Sequence, residues 1–225
     1  MGRITLGSVT AHESPGRPLR KDAERNRRRV LAAARDLFAA RGLEPNLNDV
    51  AHHAGVGVGT VYRRFGTKDE LLEAIFVDGL DQLTELAEAG LRRDDPWDGF
   101  AWFVEQMCEL TATDRGLREI AFSKTYGGDR VIAAQERLGP IVAKLVERAQ
   151  LAGSLRADIS ATDMPIISLI GGMVSEFAGH VDNHLWRRFT ALLLDGMRCS
   201  NSNPPLPVPA LDDQGLDAAM HAWEP

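Results

Sequence analysis

The chain has 225 residues, 44% of them apolar and 26% charged, a balance that excludes disorder for its bulk and permits a buried core without staples. Two cysteines, Cys108 and Cys199, fall in apolar helical patterns and cannot form a secreted disulfide framework, so a reducing, cytoplasmic setting is expected. No apolar run approaches the roughly 18 residues of a membrane span, and the N-terminus lacks the apolar segment of a signal peptide, so no membrane partner is expected.

Net charge is −6 and unevenly distributed. Residues 1–68 hold 13 Lys+Arg against 6 Asp+Glu, a net of +7, whereas residues 69–225 hold 13 against 26, a net of −13. Such polarity suits a polyanion-binding end on an acidic body, although a basic tail on an acidic domain has the same arithmetic.

Residues 1–21 carry Pro15 and Pro18 with no sustained period and read as a flexible basic arm. Asp22 is placed to cap a first helix with Val30, Ala34, Leu37 and Phe38 on one side and arginines on the other, closed by Gly42. Asn46 and Asp49, spaced as N-cap and N3, open a short second helix that ends at Gly55. A third short helix runs from Gly59 to Phe65, and Thr67 with Glu70 forms the capping box of a fourth. That fourth helix carries Leu71, Leu72, Ile75, Phe76, Leu80, Leu83 and Leu86, a stripe too long for a three-helix unit alone.

Asp95-Pro96-Trp97-Asp98 supplies N-cap, N1 proline and N3 acid to a fifth helix that is apolar almost all round. A shorter helix from Arg115 to Lys124 and a long one from Arg130 to Leu151, bent at Pro140, come next. Two amphipathic helices near the C-terminus carry Ile166, Ile170, Met173, Val174 and Phe177, and then Leu185, Trp186, Phe189, Leu192, Leu193 and Met197. Residues 200–225 hold five prolines and four acids without Lys or Arg, which predicts a disordered tail. The expected fold is all-α, with about nine helices in two units: residues 22–68 as a reading unit and residues 69–199 as a larger helical domain.

Two short helices on a tight glycine turn, behind an arginine-studded helix, are what a helix-turn-helix DNA reader requires. In Val58-Gly59-Thr60-Val61-Tyr62-Arg63-Arg64-Phe65, Val61 and Phe65 are i and i+4 and can face inward, leaving Thr60, Tyr62, Arg63 and Arg64 outward. Hydroxyls suit phosphate oxygens, and arginine forks onto guanine for roughly 1–3 kcal/mol of base discrimination. Lys68 adds charge to the exposed N–H groups of the following helix. Arg25 and Arg28 are the best placed of the arm and first-helix basic residues to reach flanking phosphates or a minor groove, although a solvated basic tail explains them equally.

Residues 24–76, and above all Leu47-Asn48-Asp49-Val50-Ala51, Ala54-Gly55-Val56, Gly59-Thr60-Val61-Tyr62-Arg63-Arg64-Phe65 and Lys68-Asp69-Glu70-Leu71, resemble the tetracycline-repressor (TetR) family in one uninterrupted register. The resemblance implies a homodimeric one-component regulator, with a DNA-binding domain on a ligand-binding and dimerisation domain. Tyr62 and Lys68 match phosphate-contacting positions, Thr60 and Arg63 groove-facing ones, and Asn46 and Asn48 the start of the helix that abuts the DNA backbone. Gly57 departs from the usual Ser or Thr cap, and Val58 stands where a polar residue often reaches DNA; Val58 could instead touch a thymine methyl. Gly153-x-Leu155-Arg156-x-Asp158 followed by Asp163 resembles the turn before the family's dimerisation helices.

Within the larger domain, Ile166, Ile170, Val174, Phe177, Trp186, Phe189, Leu193 and Met197 read either as core or, following the resemblance, as a homodimer interface. Gly171-Gly172 suggests close helix approach. Trp102, Phe103, Met107, Phe122, Tyr126, Met173, Phe177 and His180 are candidates to line a site for an apolar or aromatic effector, with core packing the competing explanation. Neither a cofactor nor a metal is expected: His180 and His184 lie i,i+4 across an expected helix break with no third ligand. No nucleophile-base-orienter constellation suggests an enzyme. The resulting expectation is a sequence-specific transcriptional regulator on a palindromic double-stranded operator, most simply a repressor released by an effector. A DNA-organising protein of the same fold, or a small-molecule-binding protein or enzyme, are the alternatives.

Overall fold

The computed structural model describes residues 16–121, 128–200 and 203–222, all in helices and connecting turns apart from one isolated bridge between Leu155 and Arg198. The helices are α1 (Gly16–Arg41), α2 (Leu47–Ala54), α3 (Val58–Phe65), α4 (Lys68–Leu91), α5 (Pro96–Thr113), α6 (Arg115–Ala121), α7 (Asp129–Leu151), α8 (Asp163–Ala178), α9 (Leu185–Met197) and α10 (Asp213–Ala222). Among the described residues no helix is long and apolar enough to cross a membrane.

Local chemistry explains most boundaries. Asn46 Oδ1 accepts from the N–H groups of Asn48 and Asp49 at 2.8 and 3.2 Å, and Asp49 Oδ2 accepts in return from the Asn46 N–H at 2.9 Å, completing a capping box at α2. Gly55 ends α2 at φ 63°, a left-handed conformation that costs a residue with a Cβ more than glycine. Thr67 Oγ1 accepts from the Glu70 N–H to start α4, and Asp95 accepts from the Asp98 N–H, with Pro96 in the first turn of α5.

Two expectations for the chain ends are corrected. α1 begins at Gly16, not at an Asp22 cap, and the Asp22 carboxylate takes the Arg25 guanidinium at 2.7 Å within the helix. Pro18 sits in the first turn, where no intrahelical N–H is required of it. The first fifteen residues of the expected arm lie outside the described residues. At the other end, the segment expected to be disordered contains α10, whose prolines all lie outside the helix and whose start is capped by Asp212, accepting from the Gly215 N–H at 2.7 Å.

Two apolar clusters organise the molecule. One gathers Val30, Leu31, Ala34 and Phe38 of α1, Leu47, Val50 and Ala51 of α2, Val61 and Phe65 of α3, and Leu71, Leu72 and Ile75 of α4. Burying each of the larger side chains contributes about 1.5–3 kcal/mol. Leu117 and Ile120 of α6 and Val131 and Ala134 of α7 belong to this same cluster, so the reading unit is packed directly onto the larger domain. The second cluster takes Ala87 of α4, Phe100, Phe103, Val104, Met107 and Cys108 of α5, Val142, Leu145 and Val146 of α7, Met164 and Ile167 of α8, and Trp186, Leu194 and Met197 of α9. α4 thus serves both clusters, with its Leu83 in contact with each.

The glycine pair of α8 makes the expected close approach inside one chain. A Cβ at Gly171 would lie 3.2 Å from Cys108 Cβ, and one at Gly172 would lie 2.8 Å from Arg118 Cδ.

Candidate nucleic-acid interface

α3 projects from the head with Val61 and Phe65 buried and Tyr62, Arg63 and Arg64 exposed. Tyr62 is 45% exposed although its helix is anchored by its neighbours Val61 and Phe65. Gly59 is exposed, and a Cβ added there would meet nothing within 4 Å, so the first turn of α3 presents its backbone to solvent. Thr60 is half-buried beside it. Gly57 provides no side-chain cap for α3, and the helix is held by its two buried apolar side chains.

Val58 is corrected in part. It is half-buried and packs against the head core, so apolar packing explains a residue expected to face DNA. Lys68 also differs from expectation, because its ammonium donates to the Leu43 carbonyl and ties the start of α4 to the turn before α2. Asn48 is exposed on the first turn of α2, and the carboxamide oxygen of Asn46 is taken up by the cap. Arg25 and Arg28 of α1 are 71% and 77% exposed and pair with Asp22 and Glu24 of the same helix. Exposed ion pairs of this kind are worth little, so either guanidinium can be exchanged for a phosphate at small cost.

Residues not anticipated from the sequence hold this head in place. Arg29 donates to the Ala54 carbonyl at 3.0 Å, fastening α1 to the C-terminal turn of α2. Asp78 of α4 accepts from Arg27 at 3.2 Å, Arg35 at 3.0 Å and Gln82 at 3.1 Å. Arg35 also reaches the Ile75 carbonyl and lies 3.6 Å from Asp114. A signal existed: an acid in the middle of an apolar helix and basic residues on α1 facing a core invite such pairing. Their partners, 43 to 51 residues apart in sequence, are not readable from spacing.

In the larger domain the interface candidates divide. Ile166, Ile170, Met173 and Phe177 form an exposed row on α8, joined by Phe189 and Leu192 on α9, with Phe177 84% exposed. Val174 and Leu193 are partly buried against the second cluster. Trp186 and Met197 are corrected: at 2% and 4% exposure they belong to the chain's own core. α9 is apolar on two sides, and α5 and α8 already cover one of them.

The effector candidates are not gathered around one cavity. Phe103 and Met107 are buried in the second cluster, whereas Met173, Phe177 and His180 lie on the outside. Trp102 is half-buried under the Arg93 guanidinium, 4.6 Å from the ring centre. Phe122 and Tyr126 lie outside the described residues. Arg118, which sequence reasoning did not single out, is buried and donates to the carbonyls of Thr111 and Ala112 and to Glu176 at 3.3 Å, joining α5, α6 and α8. His180 and His184 fall in the turn between α8 and α9, and no group of three metal-ligating side chains occurs among the described residues.

Comparison with known proteins identifies the architecture. A TetR transcription regulatory protein of Mycobacterium vanbaalenii is 33% identical to this chain, which covers 99% of its solved structure using 80% of its own length, at a TM-score of 0.58. The chain belongs to the TetR family. Family profiles agree, with "Bacterial regulatory proteins, tetR family" matching residues 30–75 and "Transcriptional regulator SbtR-like, C-terminal domain" matching residues 95–199. A TetR transcriptional regulator of Streptomyces coelicolor, 27% identical, overlays with a TM-score of 0.58 across 77% of this TetR-family chain and 99% of its own. An HTH-type transcriptional regulator of Staphylococcus aureus (strain USA300) is 39% identical over 64 residues, 28% of this chain. That match spans about a third of the length of the curated relative, 35%.

Proposed function

We propose that this TetR-family regulator is a homodimeric, sequence-specific repressor that holds a palindromic operator and is released by a small apolar or aromatic effector. The observation that carries the reading is α3, a slim helix whose outward surface is Thr60, Tyr62, Arg63 and Arg64 and whose inward surface is apolar. Arg63 and Arg64 are the base readers, Thr60 and Tyr62 supply hydroxyls, and bare Gly59 lets the backbone come close to the duplex. Asn46, Asn48 and Lys68, whose ammonium keeps further protons beside its bond to the Leu43 carbonyl, join the N–H groups of α4 in holding flanking phosphates. Arg25 and Arg28 extend the contact along the backbone.

One such head reads few base pairs, so two are needed, about 34 Å apart to meet successive major grooves. The exposed row of α8 with Phe189 and Leu192 supports self-association as the means of pairing them. An effector that prefers a dimer with displaced heads releases DNA. Full reversal from 99:1 to 1:99 requires about 5.5 kcal/mol of differential binding, and couplings of about 1–3 kcal/mol give partial induction. Trp102 is half-buried on α5, with Phe103 and Met107 of the same helix inside the core, and α5 is the helix we take to face the effector.

The test is a mobility shift on the palindrome-bearing fragment upstream of the protein's own gene, across a salt series. Affinity is expected to fall steeply with salt, Tyr62→Phe and Lys68→Ala to weaken every complex, and Arg63→Ala to relax base preference by about 1–3 kcal/mol. Salt-independent binding, or unchanged shifts in Tyr62→Phe and Lys68→Ala, would sink this assignment.

A further inference from the structure

Beyond the effector and DNA surfaces, a cleft of about 290 Å³ opens between the reading head and α7, lined by Arg27, Arg64, Phe65, Glu70, Ala74 and Arg130. Three guanidinium groups from three different helices meet one carboxylate there. Carboxylates behind the lining fix two of them: Arg27 commits Nη1 to Asp78 at 3.2 Å and Glu24 at 3.7 Å, and Arg130 lies 3.5 Å from Glu73. Arg64 has no acidic partner among the described residues. Forked, permanently charged donors held by carboxylates outside the cleft suit planar or tetrahedral oxyanions.

The geometry points to this cleft as a binding site for a small phosphorylated metabolite, anchored by Arg27, Arg64 and Arg130. Ligand pockets run from about 300 to 1,000 Å³, so a volume of about 290 Å³ admits a small molecule. DNA backbone fits poorly. Ala74 lies six residues beyond the start of α4, about 9 Å along its axis, and Phe65 faces inward. Because Arg64 also belongs to the outward surface of α3, an anion that draws it into the cleft opposes operator binding. Reciprocity then requires DNA to weaken the anion.

Pyrophosphate is the probe, titrated calorimetrically into the full chain without DNA at constant ionic strength. Saturable binding with one site per chain, at least tenfold weaker in Arg130→Gln and largely retained in Arg130→Lys, supports the site. No saturable binding, or equal binding by wild type and Arg130→Gln, overturns it. Since Arg130 is 59% exposed, thermal melts of both variants are expected to match wild type. On the operator fragment, pyrophosphate should weaken the wild-type complex about fivefold or more and leave the Arg130→Gln complex unmoved. Equal weakening of both, as by matched sodium chloride, overturns the coupling. The DNA-free titration reads the site even where the operator assignment fails.

Discussion

The two thiols show how far one chemical group is decided by its surroundings. Burial among α5, α8 and α9 pushes the Cys108 thiol up to about 11, the Thr190 hydroxyl opposes this and Glu105 adds to it, whereas Cys199 is exposed. Thiolate is the reacting form, so a disulfide reagent at pH 8 should titrate one thiol per native chain, and two after unfolding. Two fast thiols in the native protein would contradict the packing of α5. Asp158 is the opposite case. The Arg156 guanidinium, at 2.6 Å, and the Leu206 N–H, at 2.9 Å, hold its carboxyl down at about 2. The unfolded value is near 3.9, so this contribution is present above about pH 4 and is lost as pH falls through about 2. Arg156 also donates to Pro204. Amide exchange at Leu206, corrected for intrinsic rates, should therefore lose protection between pH 4 and pH 2, and Asp158→Asn should lose it already at pH 6.

Helix starts were legible wherever a cap is made by neighbours in sequence. Asn46 with Asp49 and Asp95 with Pro96 and Asp98 stand as read, and of the expected Thr67–Glu70 box the Thr67 half is formed. The start of α1 and the whole of α10 were missed because proline content was weighed over position: Pro18 is in a first turn, and no proline falls within Asp213–Ala222. The apolar faces of α8 and α9 were legible, but which face the chain covers itself was not. On α8 the small face, with Ser168, Gly171 and Gly172, goes inward and the bulky row stays out. On α9 the buried side is Trp186, Thr190, Leu194 and Met197. Of the proposed site, the outward residues of α3 followed from a single i,i+4 pair, while the Lys68 contact with Leu43 depends on a turn 25 residues away. Helices α2 and α3 differ in how they are held, and this can be measured. Asn46→Ala removes a reciprocal cap and should cost about 1 kcal/mol; Phe65→Ala removes an anchor of uncapped α3 and should cost about 3–5 kcal/mol. Urea denaturation followed by helical signal distinguishes them, and equal costs would mean that α3 is held by something other than packing.

A single chain leaves Ile166, Ile170, Met173, Phe177, Phe189 and Leu192 facing solvent. If that surface pairs two copies, a charge at its most exposed position should separate them. Phe177→Glu is expected to sediment as a monomer at micromolar concentration with its fold intact, and to bind an operator half-site far more weakly than the dimer binds the palindrome. A dimeric Phe177→Glu would move the pairing surface elsewhere. The intact fold is expected because Phe177 contributes nothing to either cluster.

Gly116 of α6 rests on the main chain of Arg35, so near that a single added carbon would fall 2.2 Å from its carbonyl oxygen. No rotatable group lies between the two backbones to absorb a shift. Arg27 and Arg35 lock α1 to Asp78 of α4, and Arg29 locks it to α2. A displacement of α6 at Gly116 would therefore be passed to α1 with no side chain between them to absorb it.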